Sequence, residues 1–133
     1  MPVAFYAQLT KDATGVGNYQ TIVFDLVTTN VGNAYNKVDG IFTAPVNGVY
    51  AFIWTASNHD NTHMQTELVA NAVVVGRQWS DSGNHADISS ATGSAVLKLN
   101  ASDTVWVRSN TIHSRILMGN QLSSFSGWLL YYM

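Results

Sequence analysis

Residues 48–54, Gly-Val-Tyr-Ala-Phe-Ile-Trp, form a strand-like run that is apolar on both of its faces. Successive side chains of a strand point to opposite faces of the sheet. Tyr50, Phe52 and Trp54 therefore share one face, and the aliphatic residues between them share the other. A sheet with one face in water normally alternates apolar with polar residues. The second face of this strand requires a cover.

The last strand-like run, residues 125–133, has the same property. Trp128, Leu130 and Tyr132 alternate with residues that are also mostly apolar, although a strand of a two-layer sandwich has only one face on the core. Charged residues make up 11% of the chain, and low charge with many aromatic residues is typical of buried interfaces. We expect further copies of the chain to cover these faces. The alternative is that the aromatic side chains lie at the rim of a monomer.

The remaining sequence predicts an all-β fold. Apolar residues nowhere follow helical spacing over three turns, whereas short β-rich runs alternate with turns of Gly, Asn, Asp and Ser. This spacing is typical of a β-sandwich or jelly roll, and the length predicts one domain over residues 1–133. The predicted strands are residues 3–9, 21–27, 40–44, 48–57, 66–79, 93–100, 103–110, 114–118 and 125–133.

Composition argues against several classes of function. A net charge of −2 without a Lys/Arg cluster predicts no nucleic-acid partner. No apolar run approaches the ~20 residues that span a bilayer, so no membrane span is expected. The absence of cysteine rules out disulfides and cysteine–zinc sites. No nucleophile motif such as Gly-x-Ser-x-Gly occurs, so we expect a protein that is not an enzyme.

The spacing of aromatic residues and glycine between residues 24 and 54 is the most specific pattern in the chain. It runs through Phe24, Asn30, Tyr35, Phe42, Gly48, Tyr50, Phe52 and Trp54. This pattern resembles the hallmark of complement C1q-type globular domains, with the departure that Trp54 stands where Phe or Tyr is usual. Residues 93–107 and 125–132 are similar to the late strands of that family.

The resemblance implies a jelly-roll sandwich of about ten strands, similar to tumour necrosis factor, that is secreted and assembles as a homotrimer. The trimer would supply the cover that the two strands require. It also implies an innate-immune lectin whose three sites bind microbial carbohydrates or other glycans with avidity. The alternatives are a trimeric, cytokine-like ligand for a protein receptor and a structural trimer without a ligand. The predicted trimer interface consists of Phe5, Tyr50, Phe52, Trp54, Trp128, Tyr131 and Tyr132.

Two segments supply candidate ligand-binding residues. Trp79 lies beside a polar loop, where its ring could stack on a sugar while polar neighbours bind hydroxyl groups; alternatively it caps the core or a subunit seam. Arg108, His113 and Arg115 flank the main basic segment, and arginine binds anionic groups bidentately. This segment predicts a site for anionic glycans, the alternative being a solvated hairpin tip.

Calcium is the one metal that the resemblance implies, near the trimer apex. Asp81 stands at one matching position, and Ser89 stands at the companion position, with Asp87 nearby. Calcium takes six to eight oxygen ligands, whereas an aspartate pair can equally solvate a turn. His59 and His63 are four residues apart, which places them on one face only in a helix, so a polar loop is favoured there. No other cofactor is predicted.

Overall fold

The computed structural model describes residues 1–83 and 86–133, with the backbone but not the side chains of residues 112 and 113. In this part of the chain there are ten strands and no helix, which confirms the all-β prediction. None of the described segments is a helix long and apolar enough to cross a membrane. The strands are β1 (Ala4–Gln8), β2 (Leu26–Val31), β3 (Tyr35–Asn36), β4 (Ile41–Thr43), β5 (Gly48–Asn58), β6 (His63–Ala70), β7 (Val73–Asp81), β8 (Ser89–Leu99), β9 (Thr104–His113) and β10 (Ser124–Tyr132).

The strands form two five-stranded sheets that pack face to face as a jelly-roll sandwich. The first sheet has the order β2-β1-β10-β5-β8, and the second has the order β3-β4-β9-β6-β7. Neighbouring strands are antiparallel in both sheets. The facing sides of the two sheets enclose an aromatic-rich core. Strands from distant parts of the chain are thus neighbours, as in other jelly rolls.

The core lies on the Tyr50, Phe52 and Trp54 face of β5. These side chains are 0%, 0% and 1% exposed, and Phe5 of β1 is also buried. Phe5 stacks on Tyr35 with 5.0 Å between ring centroids. Assigning Phe5, Tyr50, Phe52 and Trp54 to the trimer interface is therefore wrong, because a side chain that one chain already buries has no surface left to bury against a neighbour.

Trp54 is accommodated by two glycines. A Cβ atom on Gly93, its partner across β5 and β8, would lie 2.6 Å from the indole ring, and one on Gly76 of β7 would lie 3.0 Å away. The indole Nε1 donates a hydrogen bond of 3.0 Å to the buried Thr66 hydroxyl. The glycines make room for a ring larger than Phe or Tyr, which explains how the chain tolerates its one departure from the aromatic pattern.

The outer face of the first sheet carries the apolar surface that needs a cover. Lys98 is the one charged residue in its five strands, all of which are described. Trp128 is 39% exposed, and Tyr131 and Tyr132 are also exposed. They have surface to offer a neighbouring copy, and their place at a trimer interface stays a prediction. One row across this face consists of Val31, Ala4, Trp128, Ala51 and Val96.

Several strand boundaries differ from the predicted ones, and backbone conformation explains two of them. The run 66–79 is divided by Asn71 and Ala72, whose φ angles of 50° and 66° form the two-residue hairpin turn between β6 and β7. The run 114–118 makes only an isolated bridge, because Arg115 has a φ of 66°, which no strand residue adopts. The run 21–27 becomes a strand only from Leu26.

Candidate functional site

Three strands of the second sheet place polar and aromatic side chains in two adjacent rows on its outer face. In one row Glu67 of β6 pairs with Arg77 of β7 on one side and with Arg108 of β9 on the other. In the next row Gln65 pairs with Trp79. With two flanking residues these side chains form a surface that we call the arginine–tryptophan patch. It consists of Tyr19, Gln65, Glu67, Arg77, Trp79, Arg108 and Asn110.

Glu67 holds the two arginines in place. Its Oε2 accepts a hydrogen bond of 2.9 Å from Arg77 Nε, and its Oε1 accepts one of 2.9 Å from Arg108 Nε. The carboxylate is buried, whereas the Arg77 side chain is 57% exposed. Burial raises the pKa of Glu67, but the hydrogen bonds from both arginines outweigh it and hold the pKa below its usual value. Glu67 is therefore charged at neutral pH.

Tyr19 fixes Arg108 from the other side. The Arg108 guanidinium carbon lies 5.0 Å from the centroid of the Tyr19 ring, which is cation–π geometry. Tyr19 is carried by a segment that lies along β9, since Thr21 forms a bridge with Arg108 and the Ser109 amide donates to the Gln20 carbonyl at 3.0 Å. Arg108 is thus held by an ion pair and by an aromatic ring.

Trp79 offers an aromatic surface beside amide groups. Trp79 is 49% exposed and lies near the end of β7, the edge strand of the second sheet. Gln65 lies directly across from it, and Asn110 Nδ2 donates a hydrogen bond to Gln65 Oε1. The His63 ring lies 6.3 Å from the indole, centroid to centroid. A flat apolar ring next to amide and guanidinium groups suits a ligand with both apolar faces and hydroxyl groups.

The structure brings together only part of the predicted ligand site. Trp79 and Arg108 both lie in the patch, although Arg108 is inside β9 and not in a loop. Arg115 follows the end of that strand, where its carbonyl accepts a hydrogen bond from the Val16 amide. The side chain of His113 lies outside the described residues. The predicted basic segment 108–115 is thus a strand followed by a turn.

The sequence reasoning counted Arg77 among the polar neighbours of Trp79, but it missed Glu67 and Tyr19 as parts of the site. A signal for Glu67 exists, because a hairpin turn at residues 71 and 72 brings residue 67 opposite residue 77. A lone acidic residue in an otherwise apolar run also indicates a paired charge, since buried carboxylates are nearly always paired. Tyr19 carries no such signal, because its contact depends on how a distant segment is placed.

The predicted calcium ligands Asp81 and Asp87 are both exposed in or near the segment that follows β7. Asp81 Oδ1 accepts a hydrogen bond of 2.6 Å from the Gly83 amide, and Asp87 Oδ1 accepts one of 2.8 Å from the Ile88 amide. The Asp81 amide donates to Ser89 Oγ at 3.3 Å, so the two positions of the predicted site are neighbours. Calcium binding stays a prediction.

The two histidines considered as metal ligands have separate partners. His59 Nε2 lies 2.7 Å from Asp12 Oδ2, and His63 Nδ1 lies 3.0 Å from Ser114 Oγ. The pKa of Asp12 is lowered by a hydrogen bond from the Gly119 amide and by its contact with His59. Within the described residues, no three His, Asp or Glu side chains form a group that could hold a metal ion.

The two packed sheets and their strand order define a jelly-roll domain. The sequence profile of the C1q domain matches residues 4–130, and the chain belongs to the C1q domain family. Complement C1q tumor necrosis factor-related protein 3 of Mus musculus is 35% identical to this chain in an alignment of 136 positions, gaps included. The alignment covers 98% of this chain and 52% of that protein. The chain spans about half the length of this curated relative and of its Homo sapiens counterpart.

Solved structures show the same fold. The globular domain of the zebrafish complement 1qA protein has a TM-score of 0.81 at 21% identity and covers 100% of both chains. The Eiger TNF of S. frugiperda has a TM-score of 0.77 at 16% identity and covers 99% of this chain and 94% of the other. These likenesses confirm the predicted architecture, which C1q and TNF domains share.

Proposed function

We propose that the chain is a secreted recognition module that binds glycans, microbial carbohydrates among them, at the arginine–tryptophan patch and acts in innate-immune pattern recognition. The observation that carries the proposal is the half-exposed indole of Trp79 beside the amide of Gln65 and the guanidinium of Arg77. A half-exposed indole lacks part of the benefit of burial. A sugar stacked on it restores that benefit.

We also propose that the module is a homotrimer. The outer face of the first sheet is almost without charge and carries the apolar row through Trp128, which suits a subunit interface. The patch lies on the outer face of the second sheet, on the opposite side of the sandwich. Burying the first face therefore leaves three copies of the patch in solvent. Three linked sites exceed the affinity of one by about 10²-fold or more on a repetitive surface.

A second candidate function is a trimeric, cytokine-like ligand for a protein receptor. An open groove of roughly 730 Å³ lies at one end of the first sheet, and Trp128, Tyr131 and Tyr132 are among its lining residues. Aromatic residues at a subunit seam are the usual anchors of protein–protein binding, so a receptor would bind the part of this groove that the trimer leaves uncovered. Binding to cells that persists after their glycans are removed would favour this candidate over a lectin.

The test of glycan binding is an array of neutral and acidic glycans probed with the wild-type chain and with Trp79→Ala. We expect the variant to bind at least about tenfold more weakly, as for the loss of an aromatic anchor. Val73→Ala, which truncates an exposed residue of the same strand outside the patch, is the matched control and should bind as the wild type. If the wild type binds no glycan, the lectin proposal fails; if Trp79→Ala binds unchanged, the patch is not the site.

The same array, run with calcium and with a chelator, tests the proposed calcium site. Calcium-dependent binding that Asp81→Asn abolishes would support calcium at Asp81 and Asp87. Equal binding in both conditions would remove calcium from the recognition mechanism.

A further inference from the structure

The ion pairs of the patch leave one positive charge uncompensated. Two guanidinium groups share the single carboxylate of Glu67. Each arginine binds it through Nε, and among the contacts of the described residues the Nη atoms of Arg77 and Arg108 have no hydrogen-bond partner. The Nη groups are the forked donors that bind carboxylate and sulfate groups bidentately.

The donors are also fixed before a ligand arrives. Glu67 is buried in the sheet, Arg108 is held against Tyr19, and all the side chains start from regular strands. Arginine side chains normally lose conformational entropy on binding, and a site that has already ordered them avoids much of that cost. The arrangement is therefore a better anion site than two free surface arginines.

The position of Trp79 links the charge to a sugar. Arg77 and Trp79 are two residues apart on the same face of β7, so their Cα atoms are about 6.6 Å apart. A charged substituent on a sugar ring that stacks on the indole reaches the arginine from there. Asp81 is on the same face but roughly 13 Å from Arg77 along the strand, and its carboxylate is bound to the Gly83 amide.

We infer that the patch recognises acidic glycans, with a sugar carboxylate or sulfate bound by the Nη groups of Arg77 and Arg108 and the ring stacked on Trp79. This inference rests on the proposed glycan binding and names the class of glycan. The shared chemistry is a sugar-borne oxyanion. Uronic or sialic acids and sulfated sugars are its two sources.

The test compares acidic polymers with their neutral counterparts. The probes are polygalacturonate and its carboxyl-reduced form, and a heparin-type polysaccharide and its desulfated form. We expect Arg77→Gln to weaken binding of the acidic member of a pair about tenfold, as for a lost charge-assisted hydrogen bond, and to weaken binding of the neutral member much less. The pair that shows the larger difference identifies the oxyanion.

Two further variants separate geometry from charge. Lys37→Gln removes the charge of an exposed lysine outside the patch, and it should leave the ratio of acidic to neutral binding unchanged in both pairs of polymers. Arg77→Lys keeps the charge but loses the two parallel Nη donors, so it should recover only part of the binding of the acidic polymer. Equal losses for Arg77→Gln and Lys37→Gln, or equal losses for acidic and neutral polymers, would overturn the inference. If the wild type still binds neutral polymers in those cases, the proposed glycan-binding function stands and only the acidic specificity fails. If the wild type binds no glycan at all, the proposed function itself fails. Arg77→Gln should fold, because Glu67 keeps Arg108 as a partner, and thermal unfolding checks this.

Discussion

The contact between Trp54 and Gly93 can be tested by a double-mutant cycle. The indole occupies the space where a Cβ atom on Gly93 would lie, with 2.6 Å to its nearest ring atoms. Gly93→Ala should therefore destabilise the protein by overpacking. Trp54→Phe removes those ring atoms, and it also leaves the buried Thr66 hydroxyl without its indole donor. Each change is destabilising alone, and the second removes the ring from the clash, so that the new Cβ atom then meets only the flexible side chain of Gln78, whose Cγ atom would also lie 2.6 Å away.

The magnitudes follow from these contacts. Overpacking by one methyl group costs about 1–3 kcal/mol. Trp54→Phe costs about 2–4 kcal/mol, from lost packing and from an unsatisfied buried hydroxyl. In the double variant the new methyl group fills space that the shorter ring has vacated. The double variant should therefore be more stable than the sum of the single changes predicts, by roughly 1–2 kcal/mol, within the range seen for residues in contact.

The assay is urea unfolding followed by circular dichroism, with all variants at one protein concentration because assembly raises apparent stability. Ser94→Ala, an exposed residue next to Gly93 on the other face of β8, is the matched control. It should combine additively with Trp54→Phe to within about 0.5 kcal/mol. If Gly93→Ala combines with Trp54→Phe just as additively, the two residues do not compete for space and the packing explanation of Trp54 is refuted.

Two further predictions concern assembly and acid stability. Trp128→Lys should give a folded monomer by sedimentation and circular dichroism, because it places an unpaired charge in the proposed interface, while Val73→Lys on the second sheet should stay trimeric; a trimeric Trp128→Lys would place the interface elsewhere. The depressed pKa of Glu67 contributes stability that is present above its unfolded value of 4.5 and is lost as pH falls through the lower folded value. Free energies of unfolding between pH 5 and 3 should therefore fall less in Glu67→Gln than in the wild type, and equal slopes would contradict the pairing.

The choice of core face shows where the reasoning from sequence stopped. Alternation established that Tyr50, Phe52 and Trp54 point one way and their neighbours the other. It could not say which set faces the core, because both sets are apolar. That was decided when β5 paired with β10 and β8 and packed against the second sheet, so that Phe42 of β4 meets the Phe52 ring with 5.2 Å between centroids.

Most of the strands and the C1q aromatic pattern depend on local spacing, and the sequence by itself determined them. The patch depends on pairing across the chain. Arg77 comes opposite Glu67 through a hairpin that local turn residues specify, whereas Arg108 is separated from Glu67 by 41 residues and reaches it only because β9 lies beside β6. No local sequence pattern predicts that β9 pairs with β6. Only the folded sheet joined the two arginines to one carboxylate, since strand order is fixed by burial of the whole core and not by any one segment.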